Sequence, residues 1–241
     1  MEQSGTSTRL AGAVQGLTSE LVSALRSGGR FRLAAGVTEA DGPEAADGLA
    51  LAAVRVVGAD AALPNVLRHT PPEPDDLAVF SRAVHAYPPP ANASPTSVWS
   101  HWAMTRTLLA LDASFDGMPG HDTEPQAAWL VDAPWQSLTH QLAVLAPLAV
   151  PAGDCAVARV ARGRPVDVAR GFVRAVRRRD WLQAAGAGRW LVLLDDVPET
   201  LGLEAGLEFV AQMGRDDPRV ALQIEAAQLM RAGVRVRGVR V

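Results

Sequence analysis

Twice in its C-terminal half the chain runs an apolar stretch into paired aspartates and a proline: Asp195-Asp196-Val197-Pro198-Glu199 and Asp216-Asp217-Pro218. Aspartate is a preferred helix N-cap, and proline is tolerated in the first helical turn. Each block therefore predicts that one helix ends and the next begins. Glu199, three residues after Asp196, completes a capping-box arrangement with Asp in place of Ser or Thr. Helices over 180–195, 198–213 and 217–232 follow, and Gly233 stops the last. Connections this short make neighbouring helices antiparallel.

The stretch from Gly188 to Glu199 also resembles two catalytic motifs. Its apolar run into Asp195-Asp196 resembles the Walker B strand of P-loop ATPases. That resemblance implies a nucleotide held by a Gly-rich loop with a lysine on the phosphates. All 23 basic residues are arginine, so a P-loop lysine, a Schiff base and a lysine general base are excluded. Asp195, Asp196 and Glu199 together resemble the Asp-rich metal motif of prenyl-diphosphate enzymes. That resemblance implies carboxylates converging on divalent ions, with a second arm from Asp216 and Asp217 or from Glu204 and Glu208. The arginine pair that usually follows in those enzymes is missing. Asp195, Asp196 and Glu199 are thus helix-capping residues in the favoured reading and metal ligands in an alternative, a helical-scaffold enzyme.

Upstream, Leu10, Val14, Leu17, Leu21 and Leu25 form one apolar stripe that predicts a helix over 8–27, stopped by Gly28 and Gly29. Helices are expected over 76–87, 96–113, 134–148 and 165–179, with an acidic loop over 38–48. The 96–113 helix is apolar on nearly all sides and is expected at the centre. Alternating residues at 30–37, 49–57 and 234–241 predict three strands of a small peripheral sheet. The fold expected is mostly α (α+β): an antiparallel helical bundle or a two-copy helical repeat. Residues 1–70 would carry the first helix, two strands and the acidic loop, and 71–241 the helical domain. The repeat rests on Phe80-Ser81-Arg82-Ala83-Val84 against Phe172-Val173-Arg174-Ala175-Val176, and on Arg106–Asp112 against Arg189–Asp195. It makes 72–148 and 163–232 two copies of one unit.

At 241 residues and 48% hydrophobic, the chain can bury a sizeable core. Its net charge of -3 gives no global field favouring nucleic acid. Exclusive use of arginine, with abundant Ala, Val and Gly, reflects a GC-rich, bacterial genome. Cys155 is alone, so no intrachain disulfide forms. With no signal-peptide pattern and no apolar run of membrane-span length, a soluble cytoplasmic protein without membrane contact is expected.

Arg159, Arg162, Arg164, Arg170, Arg174, Arg177, Arg178 and Arg179 fall within one short stretch opposed only by Asp167. At helical spacing, Val168, Ala169, Phe172, Val173 and Val176 share one face, and Arg170, Arg174, Arg177 and Arg178 the opposite one. These four arginines are the expected contact site for a protein partner, with homo-oligomerisation a further possibility; the alternative is nucleic acid bound through the whole 159–179 patch. No two of the histidines at 69, 85, 101, 121 and 140 are spaced as metal ligands. Cys155 reads as a small buried residue and the six tryptophans as core. No cofactor is implied, and a non-catalytic interaction or assembly protein is the functional expectation.

Overall fold

The computed structural model describes residues 2–29, 31–33, 43–112 and 123–238, with side chains over 7–29, 31–33, 48–112 and 123–233. It is mostly helical. The chain divides into two compact units, Met1–Thr123 and Glu124–Val241. The 76–87 and 96–113 helices, expected with the C-terminal ones, lie in the first.

The first unit holds α1 (Glu2–Ser27), α2 (Pro43–Val57), α3 (Leu63–Arg68), α4 (Pro74–Ala86) and α5 (Pro95–Leu111), with a 3₁₀ turn at Gly58–Ala62. The stripe on α1 buries Val14, Leu21 and Leu25, and Gly28, at φ 71°, ends the helix as expected. Arg68 donates to the carbonyls of Gly29 and Ala24 at 2.8 and 2.7 Å, satisfying acceptors at the end of α1. Trp99, Met104 and Leu108 put α5 in the core, packed on α4 and on the 3₁₀ turn.

Among the described residues there is no strand; 49–57 and 234–238 of two expected ones are helix, and 239–241 lie outside the described residues. Residues 49–57 belong to α2. Val54 is 1% exposed and Val56 59%; a strand would place both on one face, whereas a helix turns them apart. Residues 234–238 continue α12 (Pro218–Gly238), past the expected stop at Gly233. A lone alternating strand has no backbone partner, so extending an existing helix satisfies its peptide groups instead. Residues 31–33 are not extended pairs either, and the rest of the 30–37 segment lies outside the described residues, as do 38–42 of the acidic loop; 43–48 are helical. The stretch Gly48–Arg68 is long and apolar enough to cross a membrane by composition, with an 18-residue window of mean hydropathy 1.4, although charged residues interrupt the apolar run; 56% of that window is buried inside the protein.

The second unit holds α6 (Ala128–Val131), α7 (Trp135–Val144), α8 (Ala156–Arg162), α9 (Pro165–Arg177), α10 (Trp181–Leu191), α11 (Leu203–Met213) and α12. Its centre is α10, packed against α7, α9, α11 and α12. Small residues let that happen: Ala184, Ala185 and Ala187 are wholly buried. A methyl on Gly186 would lie 2.9 Å from the Ala143 backbone of α7. Gly171 of α9 brings Thr139 of α7 so near that a Cβ there would overlap its side chain. The fully buried Arg189 donates to the Ala149 carbonyl at 3.1 Å and to Gln223 Oε1 at 2.9 Å, tying α10 to α12. The repeat's matched arginines differ: Arg106 is exposed and lies over Trp102, whereas Arg189 is core.

Of the two Asp-Pro blocks, the second caps as expected. Asp217 accepts from the Arg219 N–H at 2.9 Å and its carbonyl receives the first bonds of α12. The first does not. Asp196 sits at φ 57° in an exposed turn after α10, a 3₁₀ turn occupies Glu199–Leu201, and α11 starts at Leu203 behind a left-handed Gly202. Gly202 allows the sharp bend that α11 needs, so the helix begins later than Pro198 suggests.

Candidate functional site

The arginine-rich stretch separates into two sets. Arg159 pairs with Asp154 at 3.1 Å and Glu124 at 3.3 Å, and Arg162 with Asp154 at 2.5 Å. Arg164 precedes α9 and folds back: it meets Asp167 at 2.6 Å and donates to the carbonyls of Val131 and Ala133 at 3.0 and 2.7 Å. These three arginines hold α6, α8 and α9 in place.

Arg170, Arg174, Arg177 and Arg178, the four expected contact residues, instead line one open groove of about 730 Å³. Pro198, Thr200 and Leu201, from the turn that follows the Asp195-Asp196 pair, also line it. The apolar surface comes from Trp135, Val166, Ala169 and Val173. Val166 is 47% exposed and Val173 40%. Val173, expected on the buried face of α9, therefore faces the groove: it lies between the arginine stripe and the Val168–Phe172 core face, and the wheel alone assigns it by hydrophobicity.

Electrostatically the groove is open. Arg170 has only a 3.7 Å approach to Asp167, whose carboxylate is already engaged by Arg164. Among the described residues, no carboxylate lies within ion-pair distance of Arg174, Arg177 or Arg178. Arg174 rests over the Trp135 ring, 5.6 Å from its centroid, an orientation in which the ring's negative face supports the guanidinium without neutralising it. The arginines also stand at the C-terminal end of α9, where the helix dipole favours cations.

A smaller recess of about 320 Å³ adjoins the groove and shares Trp135, Arg174 and Arg178 with it. His140, Asp180 and Gln183 also line it. Asp180 caps α10, accepting from the Gln183 N–H at 3.2 Å, and the Gln183 side-chain Oε1 meets His140 Nδ1 at 3.3 Å.

The remaining candidates are elsewhere. Asp195, Asp196 and Glu199 are exposed, and no group of three or more His, Cys, Asp or Glu side chains converges as a metal site among the described residues. His121 lies outside the described residues. Cys155 is buried and accepts from the Ala158 N–H at the start of α8. Burial pushes its thiol up, with the Ala158 hydrogen bond opposing, so the site favours the unreactive form. Trp99, Trp102 and Trp190 are core, but Trp135 is half-exposed on the groove. The sequence carries a signal for this apolar strip in Val166 and Val173, one heptad apart on the helix face that also bears Arg170, Arg174 and Arg177. The chain matches no protein-family model, no curated protein and no solved structure.

Proposed function

We propose that this chain is a non-catalytic binding protein that captures an acidic segment of a protein partner in the α9 groove. The observation that carries this is a set of three guanidiniums, Arg174, Arg177 and Arg178, that border apolar surface and have no carboxylate partner among the described residues. Such a site gains from an anionic ligand without first breaking an internal ion pair. The apolar strip of Trp135, Val166, Val173 and Leu201 adds burial area for aliphatic side chains beside the acids.

A protein segment is favoured over nucleic acid because the basic patch is smaller than it looks in sequence. Arg159, Arg162 and Arg164 are committed to carboxylates, and of the five that remain, the four on the groove flank valines rather than a continuous phosphate track.

Titration with an acidic, leucine-containing peptide and, separately, with single-stranded RNA tests the reading. Peptide binding that weakens in an Arg174→Glu, Arg178→Glu variant supports it. Peptide binding indifferent to those changes, or tighter binding to RNA with a steep salt dependence, overturns it.

A further inference from the structure

Resting on the reading of the α9 groove as a site for an acidic segment, we infer that the recess at its end accepts a carboxylate side chain and discriminates against phosphate. The recess is lined by two guanidiniums, Arg174 and Arg178, and by the carboxylate of Asp180. Asp180 is held there by its capping bond to the Gln183 N–H, and it forms no ion pair with either arginine among the described residues. Its charge therefore acts on whatever enters.

The balance of charge decides the ligand. Two arginines against one aspartate leave a net charge of one positive, which matches one carboxylate. A phosphate monoester carries roughly 1.5 to 2 negative charges near neutral pH and is normally met by a cluster of arginines. Here it meets a like charge fixed on the recess wall. A planar carboxylate can lie along the fork of one guanidinium, as a phosphate also can, and Arg174 is oriented by the Trp135 ring; the discrimination therefore rests on the Asp180 charge. The recess is continuous with the apolar groove through Trp135, Arg174 and Arg178. The occupant is accordingly a glutamate or aspartate with aliphatic neighbours, not a phosphorylated residue.

The test is calorimetric titration of the whole chain with three synthetic peptides, in which glutamate, phosphoserine or glutamine alternates with leucine. The glutamate peptide is expected to bind most tightly. Asp180→Asn retains a good capping side chain and removes the charge, so it is expected to shift the glutamate-to-phosphoserine preference toward phosphoserine by about tenfold. Tighter phosphoserine binding by the unmodified chain overturns the inference while leaving the groove reading intact, and so does an unchanged preference in Asp180→Asn. Equal binding of the glutamine peptide, or no binding of any peptide, overturns both.

Discussion

The guanidinium of Arg174 lies over the indole of Trp135, 5.6 Å from the ring centroid, and no carboxylate of the described chain meets it. One aromatic ring on α7 thereby fixes the direction of a cation on α9. Exposed cation–π contacts contribute about 0.5–1 kcal/mol. Trp135→Leu keeps an apolar side chain and removes this orientation. We expect acidic-peptide affinity to fall about two- to fivefold with the helical circular dichroism unchanged. An unaltered affinity would show that Arg174 needs no platform.

The two sets of arginines should respond oppositely to neutral substitution. Arg177→Gln with Arg178→Gln removes no internal ion pair, so the stability cost is limited to a helix-dipole contribution of about 0.3–1 kcal/mol, while peptide binding weakens. Arg164→Gln strips Asp167 and the Val131 and Ala133 carbonyls of their donors. It should cost about 1–3 kcal/mol in denaturant unfolding. If Arg164→Gln proved as benign as the double variant, the division into structural and open arginines would fail.

That division marks the limit of what could be read from the sequence. Local periodicity and capping chemistry located α1, α4, α5, α7, α9, α10 and α12, because a stripe such as Val14, Leu21 and Leu25 or a pair such as Asp217 and Pro218 acts within its own segment. The α9 arginine face was legible for the same reason. The contribution of Pro198 and Leu201 was not: they line the groove from the turn before Gly202 and α11, and no spacing rule links residue 198 to residue 173. The strand expectation at 49–57 failed for a related reason. Alternation over a few apolar residues is compatible with either period, and burial, which separates Val54 from Val56, is a property of the fold.

The packing of α10 yields a comparison between two glycines on one helix. A Cβ at Gly186 would meet the Cα and carbonyl oxygen of Ala143, both at 2.9 Å. A Cβ at Gly188 would meet Leu207 Cδ2 at 2.5 Å, the far end of a side chain that can rotate. Helix propensity favours alanine at both sites by up to about 1 kcal/mol. Gly186→Ala should nonetheless be destabilising, by about 1–3 kcal/mol, because α7 itself must move. Gly188→Ala should cost distinctly less. Thermal unfolding of both variants checks the order, and the reverse order would contradict the packing described.

Arg189 is the largest buried polar side chain among the described residues, and its removal should be read through its acceptors. Arg189→Leu takes a donor from the Ala149 carbonyl and from Gln223 Oε1, with an expected loss of about 1–3 kcal/mol. Adding Gln223→Leu removes one of those acceptors, so the double variant should recover part of the loss. Strict additivity of the two substitutions in a double-mutant cycle would mean that the Arg189–Gln223 bond contributes nothing.

The Asp217 cap makes stability depend on pH with a definite sign. Burial, the largest single influence, pushes its carboxyl up, but hydrogen bonds from the Arg219 side chain and N–H, with the Arg219 charge and the Val220 N–H, outweigh it and hold the carboxyl below its ordinary value. The folded protein therefore binds this proton less readily than the unfolded chain, whose aspartates titrate near about 3.9. The stabilisation is fully present above that unfolded value and is lost as pH falls through the lower, folded one. Asp217→Asn keeps an N-capping side chain but cannot titrate. Its denaturant midpoint should start lower at neutral pH and decline less steeply than that of the unmodified chain below about pH 4. Parallel declines in the two proteins would show that Asp217 is not one of the carboxylates through which acid unfolds this fold.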